Sequence, residues 1–347
     1  MIKFFRKIRQ NLLMENKTGK YFKYAFGEII LVVIGILIAL SINNWNEENL
    51  QTANFDKILD GLEIELIENI EEANFEIPLY RNSISKIKNA LLNKVTRDDF
   101  INDVNLRNLI SDDKFDFNSD DIKALIQNQE NFPEKFKVLI PSLKKYLKIE
   151  RRYYLAEKTY AEHVSKYLQY LMDNQSWYGK KTYYEVDTLA LEQEVDFYHK
   201  NTFFKNYLNT YNSTIKNVLR EGTSVKSASL TILAEIKRIR ENYIEEDIIK
   251  LFAKFKMIPF LEKTCDYPEN KNNYGDLLHL PFFNTTNKPV VLKWSNYSSN
   301  KIKLAPGELV VNSAKNRIRE KDVVQVISDG VCIKKYQGFE DGFILIE

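Results

Sequence analysis

Residues 28–42, EIILVVIGILIALSI, are a long apolar run standing directly behind a basic N-terminus. The apolar part runs from Ile29 to Ile42 with no charged residue, a stretch that alone is short for a bilayer crossing. The flanks lengthen it. From Tyr24 to Trp45 an α-helix rises about 33 Å, enough for a hydrocarbon core of about 30 Å. Tyr24 and Trp45 fall where amphipathic rings prefer the headgroup level. Glu28 lies one turn inside, where it can snorkel or take up a proton at lower cost than at mid-bilayer. Residues 24–45 therefore read as a transmembrane helix with the lipid bilayer as its partner.

Charge sets the expected orientation. Lys3, Arg6, Lys7, Arg9, Lys17, Lys20 and Lys23 precede the run against the single acid Glu15, whereas Glu47 and Glu48 follow it and the first base beyond is Lys57. This asymmetry predicts a cytoplasmic N-terminus and an exported remainder. In a bacterium with two membranes that means a single-pass inner-membrane protein with its C-terminal domains in the periplasm. A cleaved signal peptide is the competing reading, because Ala39-Leu40-Ser41 offers small residues near the end of the run. Against it, 23 residues precede Tyr24, long for a signal n-region, and Trp45 opens a polar helical continuation. Residues 2–13, IKFFRKIRQNLL, repeat Ile2, Phe5, Ile8 and Leu12 on one side with Lys3, Arg6, Lys7 and Arg9 on the others. That pattern suits an interfacial helix on an anionic leaflet, and it serves equally as a topology determinant.

The chain has 347 residues and a formal charge of +2. Residues 1–28 carry seven basic and two acidic side chains, a charge of +5, which leaves −3 for the rest. The exported part is nearly neutral, and a nucleic-acid role loses its electrostatic support. With 28% charged and 44% hydrophobic residues, it can form folded domains. The two cysteines, Cys265 and Cys332, both lie on the expected oxidising side, so a disulfide closing the C-terminal region competes with a pair of buried free thiols.

Beyond the span the pattern is mainly α. Phe55, Ile58, Leu59, Leu62, Leu66 and Ile70 form a stripe over 47–77 that should stop before Pro78, with a second helical piece at 79–94. Ser119 or Asp120 can cap a helix through about Glu130, and Pro133 suits the first residue of a helix to Asp173 that is bent or interrupted at Pro141. Its stripe takes in Leu143, Leu147, Leu155, Val164, Leu168 and Leu171. Further helices are expected near 188–199, over 201–220 ending at Gly222, and over 225–256. Their apolar stripes are best buried against each other in an antiparallel exported helical bundle.

After Pro259 the texture changes to short β-type runs: 290–294, 302–304, 308–311, 322–327, 331–335 and 343–346, with turns at Ala305-Pro306-Gly307 and Ser328-Asp329-Gly330. This predicts a small C-terminal all-β module, an antiparallel sandwich or barrel of about 65 residues whose core is marginal at that size. The expected organisation is a basic cytoplasmic segment 1–23, the span 24–45, a helical exported domain 46–258 and a β-rich domain 259–347.

The first third resembles an uncharacterised family of bacterial single-span membrane proteins, a domain of unknown function. The resemblance rests on MIKFFRKIRQNLL (1–13), KTGKYFKYAFGEIILVVIGILIALSINNWNE (17–47) and the acidic helix that follows. It implies a retained anchor and a helical exported region, and it carries no activity and no catalytic residues. The β-rich tail falls outside the pattern.

Candidate chemistry is sparse. Asp116, Asn118 and Asp120 have the spacing of the first half of a calcium loop, but Asp121 stands where the glycine is needed and Gln127 where a bidentate Glu belongs; helix capping explains the acids more simply. His163, His199 and His279 lack metal-spaced partners, and Asp196 three residues before His199 is a weak pair. Glu63, Glu65, Glu68, Glu71 and Glu72 read as a solvated helix face. Tyr153, Tyr154, Tyr160, Tyr167, Tyr170, Trp177, Tyr178, Tyr183 and Tyr184 either fill a helical core or present rings to glycan or a partner. Gly35 and Ala39 form a small-xxx-small pair that permits homo-oligomer contact in the span. No phosphate loop, dinucleotide fingerprint or hydrolase elbow occurs, and no cofactor or metal is expected.

These features point to a non-enzymatic binding or scaffold protein of the envelope with an unidentified protein partner. A ligand sensor acting through another protein is the alternative, because about 23 cytoplasmic residues are too few for an output domain. An envelope hydrolase assembled from scattered residues stands last.

Overall fold

A helix of 74 residues, α1 (Thr18–Leu91), carries the apolar run. The computed structural model describes residues 18–180, 187–268, 277–278, 280–294, 301–311, 318–319, 321–337 and 342–347. Its contacts divide into two compact units, 1–58 and 59–347. In the first, the large apolar side chains from Ile29 to Ile42 are all exposed. The most apolar window of α1 has a mean hydropathy of 2.4 with none of it buried, so this helix is long and apolar enough to cross a membrane.

The second unit is mainly helical and ends in β-sheet. Pro78 lies inside α1, where a break was expected. Proline removes one N–H from the helical ladder, but Ala73, Ile77, Tyr80 and Ile87 around it are all buried. Packing of that face outweighs the lost bond and holds the helix together. The connecting segment contains three short helices, α2 (Arg97–Asn102), α3 (Val104–Arg107) and α4 (Asp120–Gln127). A 3-10 stretch, Glu134–Leu139, then leads into α5 (Ile140–Asn174). Pro133 therefore precedes the 3-10 stretch, and Pro141 sits in the first turn of α5. A residue without an N–H costs least in that first turn, so of the bend or interruption expected at Pro141 the structure shows the interruption, with α5 starting there.

Two further helices, α6 (Thr188–Lys200) and α7 (Thr202–Glu241), precede the short α8 (Glu245–Lys254). Gly222 does not end a helix. A Cβ there would lie 2.6 Å from the Phe115 ring, so the missing side chain lets that ring pack against α7. The helix stops at Asn242, whose φ of 54° is left-handed, a conformation Asn tolerates better than most residues.

Pairs along α5 and α7 show that the two run antiparallel. Ser142 meets Glu235, Arg152 meets Glu221, Tyr160 meets Tyr211 and Tyr167 meets Phe204. Residues 59–91 of α1 lie along both, through Glu63 with Lys237 and Arg240, and through Asn69 with Tyr146. Residues 224–234 of α7 are buried on every side, because the β region packs on this helix as well.

The strands are β1 (Ile258–Pro259), β2 (Leu261–Lys263), β3 (Leu277–Leu278), β4 (Pro281–Asn284), β5 (Val290–Trp294), β6 (Lys301–Leu304), β7 (Leu309–Val311), β8 (Ile318–Arg319), β9 (Val323–Ser328), β10 (Val331–Gln337) and β11 (Gly342–Ile346). Five of them form an antiparallel sheet in the order β2-β10-β9-β5-β6, four a second sheet in the order β1-β11-β4-β7, and β3 pairs β8. The second sheet is mixed, because β11 runs parallel to both β1 and β4. That corrects the all-antiparallel expectation. Alternation of side chains is blind to strand direction, and β11 is buried at four of its five positions, as interior parallel strands are. The core holds Phe282, Leu292, Trp294, Leu304, Val324, Val326, Ile344 and Ile346. The β9–β10 turn places Asp329 and Gly330 at φ 51° and 82°, the paired left-handed residues of a tight hairpin.

Candidate functional site

Two polar constructions stand out, and neither follows from a motif. The first begins with Tyr146, Tyr153, Tyr160 and Tyr167, which recur every seven residues along α5 and are all buried. They define the buried face in place of Leu155, which is 59% exposed. Across this face runs the segment 109–119, which has no regular structure over most of its length and so no ladder for its backbone. Side chains supply the partners. The Tyr211 hydroxyl accepts from Ser111 N at 3.2 Å and lies 3.1 Å from its carbonyl oxygen. Tyr80 donates to the Asp113 carbonyl at 2.5 Å. Tyr153 accepts from Phe115 N at 3.0 Å and donates to Phe115 O at 2.8 Å. Asn69 grips Asn118 through both its backbone groups.

Burial raises the phenols of Tyr80, Tyr153 and Tyr160 above their ordinary range, so these hydroxyls stay protonated. Buried backbone groups must find partners, and here aromatic hydroxyls meet that requirement. The aromatic concentration is therefore largely core. Tyr153, Tyr160, Tyr167 and Trp177 are buried, whereas Tyr154 is 44% exposed. Tyr170 and Tyr178 are half-buried; Tyr183 and Tyr184 lie outside the described residues.

The second construction joins helices to sheet. Arg238 of α7 donates to the Gly307 carbonyl at 2.7 Å, and its guanidinium lies 5.5 Å from the Phe283 ring centre. Gly307 has φ +70°, and a Cβ there would come within 3.3 Å of Arg238 Nη2, so both conformation and access favour glycine. Lys145 of α5 donates to the Val311 carbonyl. Glu235, whose carboxyl these cations act on, accepts through Oε1 from Ser142 Oγ at 3.0 Å, while its Oε2 is buried with no hydrogen-bond partner among the described residues. Burial raises the Glu235 carboxyl to about 7, against the pull of Ser142, Arg238 and Lys145. Burial likewise lowers Lys145 to about 8. Nothing local in the sequence announces this cluster, since bonded partners such as Lys145 and Val311 lie 166 residues apart.

The acids expected on a solvated face divide. Glu68 and Glu71 are exposed, but Glu65 is 3% exposed and accepts from Asp121 N and Ile122 N at the start of α4. Its carboxyl is raised by burial and held back by those two backbone bonds. Glu63 pairs with Lys237 and Arg240 at 2.7 Å each, and Glu72 accepts from Asp116 N at 2.9 Å. Around the calcium-like spacing, Asn118 is taken by Asn69 and Ser119 by Glu150. Among the described residues no group of three or more His, Cys, Asp or Glu side chains is placed to hold a metal ion.

His163 stacks edgewise on Tyr207, with 5.8 Å between ring centres. His199 borders a cavity of about 60 Å³ whose lining includes Asn93, Phe100, Tyr198 and Lys205 but no carboxylate. Asp196 bonds Arg97 and Lys200 at 3.1 Å each, leaving no pairing with His199. His279 lies outside the described residues, as do Lys3, Arg6, Lys7 and Arg9 and the Tyr24 side chain. Trp45 is 65% exposed. A Cβ at Gly35 would meet nothing within 4 Å, and Ala39 is likewise exposed. Cys265 and Cys332 are disulfide-bonded, with 6.1 Å between Cα atoms.

The class these features define is a mainly helical protein with an apolar N-terminal helix and a C-terminal β-sheet region. Comparison of the chain with family models, with curated proteins and with solved structures found no match in any of the three.

Proposed function

We propose that this chain is a bacterial inner-membrane protein whose exported part, a helical bundle carrying a small β module, serves as a non-enzymatic binding or scaffold protein of the envelope. The observation that carries the reading is the exposed apolar stretch Ile29–Ile42 on a continuous helix. Water would make that surface costly, and lipid removes the cost. The basic flank before it favours a cytoplasmic N-terminus. The Cys265–Cys332 bond suits an oxidising compartment and so supports export of the C-terminal region.

A scaffold role is supported by how the polar groups are used. The buried carboxylates Glu65, Glu150 and Glu221 engage Asp121 and Ile122, Lys123, and Arg152 and Arg220, which are internal fastenings. A sensor acting through a partner is the second reading, favoured by the continuity of α1 from the apolar stretch to Leu91.

The test is membrane retention of the full chain against a chain lacking residues 1–46. The full chain should resist alkaline extraction and expose a C-terminal tag to protease once the outer membrane is permeabilised. The truncated chain should be soluble. Retention of the truncated chain, or a tag shielded from protease, would overturn the reading.

A further inference from the structure

Lys145 holds the last residue of β7, and Arg238 the turn that leads into its first, each by a backbone carbonyl. Val311 ends β7 and Gly307 lies two residues before it, so the helices grip the segment 307–311 at both ends. Among the described residues β7 pairs with β4 alone. Both cations act electrostatically on the carboxyl of Glu235, which has one oxygen on Ser142 and the other buried with no hydrogen-bond partner among the described residues. We propose that Glu235 is a proton-operated latch, which leaves β7 clasped to the helices when neutral and loosens it when ionised by competing for Lys145 and Arg238.

The chemistry of the competition is direct. A neutral carboxyl offers the cations little, so they remain on the Val311 and Gly307 carbonyls. An ionised carboxylate makes stronger, charge-assisted bonds than a peptide carbonyl does, and both cations already favour its charged form through space. The charged groups acting on the junction are Lys145 and Arg152 of α5, Arg238 of α7 and Glu308 before β7. Arg152 is held by Glu221 at 3.0 Å, and Glu308 accepts from Ala305 N at 2.7 Å. Neither can readily replace Glu235. The repulsion from Glu308 adds to the tendency of Glu235 to keep its proton.

The sign follows from burial. The folded-state carboxyl is raised, to about 7 from 4.5, so the clasp is tightest at low pH and weakens as pH rises through about 7. Lys145, lowered to about 8, acts in the opposite sense, its contribution being lost as pH falls through about 8. That effect opposes the Glu235 response near pH 8, and Glu235→Gln, which leaves Lys145 in place, separates the two.

The experiment is amide hydrogen exchange of the full chain in detergent or nanodiscs at pH 6 and pH 8, corrected for intrinsic chemical exchange. Opening of 309–311 should increase on the order of tenfold over that window, while β5 in the other sheet changes far less. Glu235→Gln keeps the bond to Ser142 and should abolish the difference. Equal protection of 309–311 at both pH values in the unaltered protein would overturn the proposal without recourse to any variant. So would an undiminished pH response in a folded Glu235→Gln protein.

Discussion

The helical and β parts of residues 59–347 are built on different cores. Between β5, β9, β11 and their neighbours the buried side chains are chiefly aliphatic and aromatic, with Phe282, Leu292, Val324, Val326 and Ile344 all at 0% or close to it. Between α1, α5 and α7 the buried set includes Tyr146, Tyr153, Tyr160, Tyr211, Asn69, Glu65, Glu150 and Glu221. In a sheet the ladder already satisfies the backbone, so side chains are free to be apolar. Residues 109–119 have little ladder, and the helices beneath them must provide donors and acceptors. Polar cores therefore mark where irregular backbone is buried.

That contrast can be broken by substitution. Phe282→Ala removes a ring from the dry core and should cost about 4 kcal/mol, measured by denaturant unfolding, with exchange rising first in the β region. A cost below about 1 kcal/mol would mean that this core is not well packed. Tyr153→Phe keeps the ring and deletes only the hydroxyl, leaving the N–H and carbonyl of Phe115 without that partner. It should cost about 2 kcal/mol and raise exchange at Phe115, whereas a neutral result would show that water replaces the hydroxyl. Gly222→Ala sets overpacking against Phe115, about 2 kcal/mol, against a gain in helix propensity of about 1 kcal/mol. A net loss of about 1 kcal/mol sharpens the packing account of Gly222, and a stabilised variant would end it.

Much of the secondary structure was legible, and the departures share a cause. Stripes and turn residues located the helices, and the change to strands near residue 258 agreed with the structure because composition and periodicity are local properties. Pro78 and Gly222 misled because local preference was outweighed by contacts with residues distant in sequence. Leu155 misled for a related reason: leucine is a generic sign of a core, while the structure puts the buried face on tyrosines seven residues apart, a recurrence the leucine stripe passed over. For the candidate site, Gly307 was legible as a turn glycine. Its partner Arg238 was not, since the distance between them in sequence says nothing of their meeting in space.

By itself the sequence determined an apolar run suited to a bilayer, a helical stretch after it and a β-rich tail, because each depends on side chains a few positions apart. Only the tertiary structure decided that α1 continues through Pro78, that β11 runs parallel between β1 and β4, and that 109–119 crosses the helices on tyrosine hydroxyls. It also decided that Glu235 lies buried where the cations holding Gly307 and Val311 act on its carboxyl. These are consequences of burial, which is a property of the whole fold: a carboxylate four residues from a base in sequence can be solvated, and one far from any base can be closed in with two.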